Sequence, residues 1–459
     1  MTAPIRTVRR RRRPADVRGE RFVALGLAHA RSGWFSDLAR WSTSAAIAVE
    51  FVKCVTLDEV RARLASGRAF SALLVDGSLP GLDRDVVDEA KACGCAVVIV
   101  DDGRIRRDWT ALGASAVLAA DFDRTALLDV LHAHATVIGR GDVLPTLDGP
   151  STTVGSWRGR LIAVTGAGGT GASTAAIAVA QSLGSDVRYG GLVLLADFAL
   201  DADQAMLHDA GDVVPGVQEL VEAHRNGDPA TSAIRSLAFE APERNYHLLL
   251  GLRRHRDWVA IRPRAFDAAL DGVRRAYKAV VADIDPDVEG EAQCGSLDIE
   301  ERNLFARSIS AQADVVLAVG LPGPKGLHRL LRVVDGLVDH DVDPARIVPV
   351  INRAPRSPRA RAELTAAFAQ LTRPMVASRT QFAGPVFLPD RRRVDDVLGD
   401  GVRLPDSLTS PLGAAVGAVL DRLAASAPIQ HPPTSRDLEP VAVAPGSLGT
   451  WTDDEYDEP

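Results

Sequence analysis

The 459 residues carry a formal net charge of −7, with 25% charged, 46% hydrophobic and only 5% aromatic side chains. At roughly 100–200 residues per domain this is material for two to four globular domains, and the acidic balance gives no general reason to expect nucleic acid as a partner. The four cysteines, at 54, 93, 95 and 294, form no CxxC pair and have no histidine-rich partner sequence, which argues against zinc or a disulfide framework and for a reducing, cytoplasmic compartment.

Residues 1–20 are basic (Arg6 and the run Arg9 to Arg13) and aperiodic. They read as a disordered tail or, alternatively, as an electrostatic contact with acidic lipid, nucleic acid or a partner. No apolar stretch follows them, so no signal peptide is expected. No run of about 18 apolar residues exists, so no transmembrane helix is expected either.

From 21 to 137, short apolar runs alternate with helical patterns. The predicted strands are Phe22–Leu27, Ala48–Val52, Ser71–Asp76, Cys95–Val100 and Ala116–Ala119, with helices near 57–66, 84–92 and 123–135. Such alternation predicts a parallel sheet covered by helices. The stretch Val75-Asp76-Gly77-Ser78-Leu79-Pro80-Gly81-Leu82 resembles a response-regulator receiver domain around its phosphoacceptor aspartate. The family's acidic pair is missing after the first strand, where Gly26-Leu27-Ala28-His29-Ala30 stands, and Ala119-Ala120-Asp121 replaces its lysine. A carboxylate without metal ligands is a poor phosphoryl acceptor, so the resemblance implies a pseudo-receiver used for docking, with phosphorylation of Asp76 as the alternative.

Residues 138–157 are rich in Gly, Pro, Ser and Thr and read as a linker. The segment 158–426 opens with the apolar run Leu161-Ile162-Ala163-Val164-Thr165, the glycine-rich turn Gly166 to Gly171, and then Ala172-Ser173-Thr174 leading into an alanine-rich helix. Glycines allow a tight turn whose N–H groups face an anion, the helix N-terminus favours phosphate, and a hydroxyl at the loop's end can ligate magnesium. The final 33 residues, 427–459, are Pro-rich and then acidic (Asp453, Asp454, Glu455, Asp457, Glu458) and read as disordered.

This loop resembles the deviant Walker A motif of the MinD/ParA family, K-G-G-x-G-K-T/S, without a gap: Ala167, Gly168, Gly169, Thr170, Gly171, Ala172, Ser173. Both lysines are alanine, which removes the side-chain charge a phosphoryl-transfer transition state needs. Where the family has D-x-D, this chain has Asp197-Phe198-Ala199, so the water-positioning aspartate is absent, and Asp201 lies two residues too far along to inherit its role. Val280-Val281-Ala282-Asp283-Ile284-Asp285-Pro286 resembles the Walker B strand, Ala313 to Pro322 the strand after the switch region, and Ile347 to Arg353 the adenine-contacting element. Val386 to Asp390, with Gly401 to Pro405, resembles the closing strand and the turn that frames the base.

The resemblance implies a receiver-like (flavodoxin-like) domain followed by a doubly wound P-loop domain. A receiver-like domain ahead of a MinD/ParA-like domain resembles the CpaE/TadZ group, and the G-G-x-G-A-S loop at residues 168–173 is similar to that of its actinobacterial septum site-determining branch. That implies ATP and magnesium as cofactors, with Gly168, Gly169, Thr170, Gly171, Ala172, Ser173 and Thr174 at the phosphates, Asn352 and Arg353 at the base, and Ser173, Asp197 and Asp283 at the metal. It implies protein partners in a secretion, pilus or cell-division machine, a homodimer, and recruitment to a pole or septum. No catalytic residue is assigned.

Other stretches keep two readings. Arg253-Arg254-His255-Arg256-Asp257-Trp258, with Arg262 and Arg264, is a solvated loop and helix face or an anion-binding patch, and Arg391, Arg392 and Arg393 are loop residues or a substitute for a missing lysine. Glu289 to Asn303 is a solvated acidic loop or a partner surface. The last helix lacks a basic amphipathic extension, so direct membrane binding of the MinD type is not expected. Three functions stand: a positioning scaffold with weak or absent hydrolysis, an ATPase borrowing a cation, and a ParA-like DNA binder.

Overall fold

Two sheets, their central strands apolar and buried on both faces, organise the chain. The computed structural model describes residues 21–29, 32–44, 46–66, 68–138, 157–375, 382–391 and 393–426. The tails at 1–20 and 427–459, and all of the expected linker except Ile138 and Trp157, lie outside the described residues.

The first sheet comprises β1 (Phe22–Leu27), β2 (Val49–Cys54), β3 (Ala72–Asp76), β4 (Ala96–Asp101) and β5 (Ala116–Ala119), all parallel in the order β2-β1-β3-β4-β5. This is the flavodoxin-like order shared by receiver domains. The expected helices form at Leu57–Leu64, Arg84–Ala92 and Arg124–His134, each started by a side chain that accepts a backbone N–H: Thr56, Asp83 and Asp123. Two helices, Gly33–Thr43 and Trp109–Leu112, were not anticipated. The first is rich in poor helix formers and is held by burial of Trp34 and Leu38, one turn apart.

The second sheet contains β6 (Arg160–Gly166), β7 (Val193–Asp197), β8 (Phe239–Ala241), β9 (Tyr246–Leu249), β10 (Ala279–Ile284), β11 (Val315–Gly320), β12 (Ile347–Ala354) and β13 (Val386–Pro389). Its order is β13-β12-β11-β6-β10-β7-β9-β8, parallel except for the β8–β9 edge pair, which the sequence pattern did not announce. The alternation of side chains along β6 feeds two cores. Leu161 and Ala163 pack on the side of the Pro263–Ala276 helix, and Ile162 and Val164 on the side of the Ala172–Gly184 and Asp406–Ser426 helices. The chain leaves β6 in opposite directions, so the crevice at its C-terminal end is a topological switch point. The acidic stretch is no loop: it forms the short helices Glu291–Cys294 and Leu297–Arg302, because Gly290 and Ser296 give each a non-helical starting residue.

The two domains meet through the Arg84–Ala92 helix, which packs on the Val217–Asn226 and Pro263–Ala276 helices. Arg84 donates to the carbonyls of His224 and Gly227, both at 2.8 Å. Asp83, already capping its own helix, pairs with Arg225 at 2.8 Å. Asp85 accepts the backbone N–H of Arg264 at 3.1 Å, in the first turn of a helix whose own cap position, Arg262, supplies no side-chain acceptor. The basic cluster is thus partly consumed internally, with Arg253 on Glu219 and His255 on Asp201 as well.

Candidate nucleotide site

The glycine-rich loop sits at the switch point, between the end of β6 and the Ala172–Gly184 helix. Gly171 has φ +85°, and a Cβ there would collide with the Asn352 amide, so this position needs glycine for two reasons. The Asn352 amide nitrogen donates to the Thr170 carbonyl at 2.9 Å, and its oxygen accepts the Arg353 N–H at 2.8 Å. Asn352 therefore braces the loop as well as standing where base contacts were expected.

A cavity of about 280 Å³ opens on that side, lined by Gly171, Thr174, Ala175, Ala178, Asn352, Arg353, Leu388, Pro389, Asp390, Arg391, Arg393 and Leu408 among others. It is apolar on its helix wall and polar at its rim, as small-ligand sites are. The Gly401–Pro405 turn is fixed beside the loop's helix by the buried Gln181, whose amide donates to the Leu404 carbonyl (2.9 Å) and accepts its N–H (2.8 Å). Arg353 (φ +51°) and Arg393 (φ +73°), two residues in the left-handed region, both border this cavity. Such conformations concentrate at binding sites. Arg391 donates to the Ser407 hydroxyl instead of reaching the glycine-rich loop, and Arg392 lies outside the described residues.

A second cavity, of about 570 Å³, lies on the other side of the loop, against Ala167 and Gly168. Arg329 and Arg332, one turn apart on the Pro324–Asp339 helix, line it together with Asp287 and Glu289. Nothing in the sequence pattern distinguished these arginines from any exposed helical face.

Asp197 and Asp283 are brought together by strand register, since they are direct partners in the parallel pairing of β7 and β10. Both are buried. Burial, and then the charge of Asp283, pushes the Asp197 carboxyl well above its ordinary value. Burial raises Asp283 to about 6, although hydrogen bonds from Gln204 and Ser173 oppose the rise. Asp197 accepts the Ala199 N–H (3.2 Å) on one oxygen and the Gln204 N–H (2.9 Å) on the other. The Gln204 amide nitrogen donates to Asp283 Oδ2 at 2.7 Å and to the Ser173 carbonyl at 3.2 Å. Gln204 is fully buried, and the sequence reading missed it. Asp285 ties the neighbouring turn by accepting the Leu200 N–H at 2.7 Å, while Asp201 is exposed and paired with His255, away from the carboxylate pair.

Of the four oxygens on Asp197 and Asp283, three already accept N–H groups, and among the described residues only Asp283 Oδ1 accepts none. As arranged, these residues do not fit a divalent cation. Three polar oxygens around the loop, Thr165 Oγ1, Thr170 Oγ1 and Gln204 Oε1, are buried without a partner among the described residues.

Asp76 lies at the C-terminal end of β3 and accepts the hydroxyls of Ser32 and Ser78, both at 2.7 Å. Burial would raise its carboxyl, but these hydrogen bonds and the nearby His29 outweigh it and hold the group below the ordinary range. The cysteine thiols at 54 and 95 are pushed up by burial to about 11 and about 12, away from reactivity.

No protein-family model and no curated protein matches this sequence. Among solved structures, the chain is similar to a ParA family ATPase from Chlorobium tepidum TLS, at 16% identity over 58% of this chain and 99% of that one, with a TM-score of 0.44. It is similar to a putative plasmid partition protein from Borrelia burgdorferi B31 bound to AMPPNP, at 14% identity over 58% and 100%, with a TM-score of 0.40. An NtrC receiver domain matches 25% of this chain and 93% of its own, at 20% identity and a TM-score of 0.20. The fold assignment itself rests on strand order and connection.

Proposed function

We propose that this protein is a positioning factor of the MinD/ParA type, one that holds a nucleotide in a backbone-built phosphate loop and hydrolyses it weakly or not at all. One observation carries the reading: a glycine-rich loop at the sheet's switch point, with a ligand-sized cavity beside it, has alanine at both positions where a cation would act (Ala167 and Ala172). Binding needs only N–H groups and a helix N-terminus, whereas phosphoryl transfer needs positive charge on the transferring group.

In this reading Gly168, Gly169, Thr170, Gly171, Ala172, Ser173 and Thr174 surround the phosphates, and Asn352 and Arg353 border the base. The absence of an aspartate at Ala199 leaves attacking water without an acceptor. The finer assignment extends to the CpaE/TadZ or septum-site group, with protein partners of a pilus, secretion or division machine, a homodimer, and recruitment to pole or septum. The receiver-like domain serves as a docking element. No helix among the described residues is long and apolar enough to cross a membrane.

A second reading, a working ATPase, is favoured by Arg329 and Arg332, which border the same loop as Ala167 and have no ion pair among the described residues. Calorimetric titration with ATP, with phosphate release followed on the same sample, separates the two. Binding without release supports the positioning factor. Steady turnover that Arg332→Ala abolishes would install the second reading instead, and absence of binding would remove both.

A further inference from the structure

We infer that the side-chain amide of Gln204 competes with a divalent cation for Asp283, so that this residue sets whether the site accepts a metal. Every polar atom of Gln204 except Oε1 is engaged. Its N–H goes to Asp197, its carbonyl receives His208 Nδ1 at 2.7 Å, and its amide nitrogen bridges Asp283 Oδ2 and the Ser173 carbonyl. His208 is itself held from its other side by the Tyr246 hydroxyl at 2.6 Å. These contacts fix the backbone of Gln204, and its side-chain amide is held by its own two acceptors, Asp283 Oδ2 and the Ser173 carbonyl.

The position matters because of what it faces. An N–H₂ group aimed at a carboxylate oxygen and a carbonyl oxygen fills the place where two oxygens would otherwise converge on a cation. Magnesium needs near-octahedral oxygen ligands at about 2.0–2.1 Å and does not share a ligand oxygen direction with a donor. A cation can take the place between Asp283 Oδ2 and the Ser173 carbonyl only when the amide leaves it, which breaks two hydrogen bonds in a buried site. The orphaned Oε1 offers no compensating attachment on the other side.

This inference rests on the nucleotide-site reading for its meaning, but its test uses the metal alone. Manganese binding by the full-length chain is measured by electron paramagnetic resonance, for wild type, Gln204→Met and Gln204→Glu. Methionine keeps the length and apolar stem without a donor, and glutamate keeps the shape while offering oxygen. Both variants should bind manganese at least tenfold more tightly than wild type. Equal affinity in all three, whether measurable or absent, overturns the competition. If methionine prevents folding, as circular dichroism would show, Gln204→Leu, which also lacks both donor and metal ligand, decides in its place. Failure of ATP to bind in the calorimetric experiment, with the tenfold gain present, would sink the nucleotide reading and leave the competition standing.

Discussion

The two sheets each present carboxylates at the C-terminal ends of parallel strands, and they treat them in opposite ways. Asp76 is single, receives two hydroxyls and a backbone N–H, and is held ionised. Asp197 and Asp283 are side by side, and burial pushes both toward the protonated form. The difference shows that burial alone does not decide a carboxylate's state; the count of donors against neighbouring charges does. It also separates a site that is complete as it stands from one under electrostatic tension.

The largest effect expected from this contrast is at Asp76. Asp76→Ala strands the Ser32 and Ser78 hydroxyls and should cost about 3 kcal/mol, read by urea unfolding. A loss below about 1 kcal/mol would mean that the two hydroxyls satisfy themselves elsewhere and that the donors around Asp76 contribute little to stability. Next comes the acid response of the second domain. Burial lowers His208 to about 4, so the unfolded chain takes up that proton first and stability falls as pH drops from 6.5 toward 4. His208→Gln should recover about 2 kcal/mol of that loss at pH 5, measured by melting at a series of pH values.

Asp283 runs the other way. Its raised carboxyl makes the folded state bind the proton more tightly, so its contribution declines as pH rises from about 4 through about 6. Asp283→Asn should therefore stabilise the fold by about 1 kcal/mol at pH 7.5, with the gain vanishing near pH 4. The same change at Asp76 should destabilise, and matching signs at the two positions would break the comparison. An effect of similar size is expected at the domain contact, where Arg225→Ala should cost about 1–2 kcal/mol in urea unfolding because Asp83 is left buried and the arginine is only partly so.

Much of this was legible in the residues. The apolar runs ending in Asp76, Asp197 and Asp283 fixed strand ends to within a residue or two, and the glycine spacing located the loop. What the chain concealed is what arises between distant segments. Gln204 follows Asp197 by seven positions in an aperiodic stretch, and only the turn that brings its N–H back onto Asp197 aims its amide at Asp283. Asp83 and Asp85 carry no local sign of their partners, since Arg225 and Arg264 lie more than a hundred residues away. The β8–β9 pair is too short to leave a periodic trace.

Asp85 lies in the first turn of its own helix and accepts from the first turn of the Pro263–Ala276 helix. One negative charge thus answers the positive ends of two helix dipoles that belong to different domains. Fraying of the first helix withdraws a cap from the second, and the two unfolding reactions become linked through a single carboxylate. Hydrogen exchange at Arg264 therefore reports on the integrity of a sheet to which it does not belong.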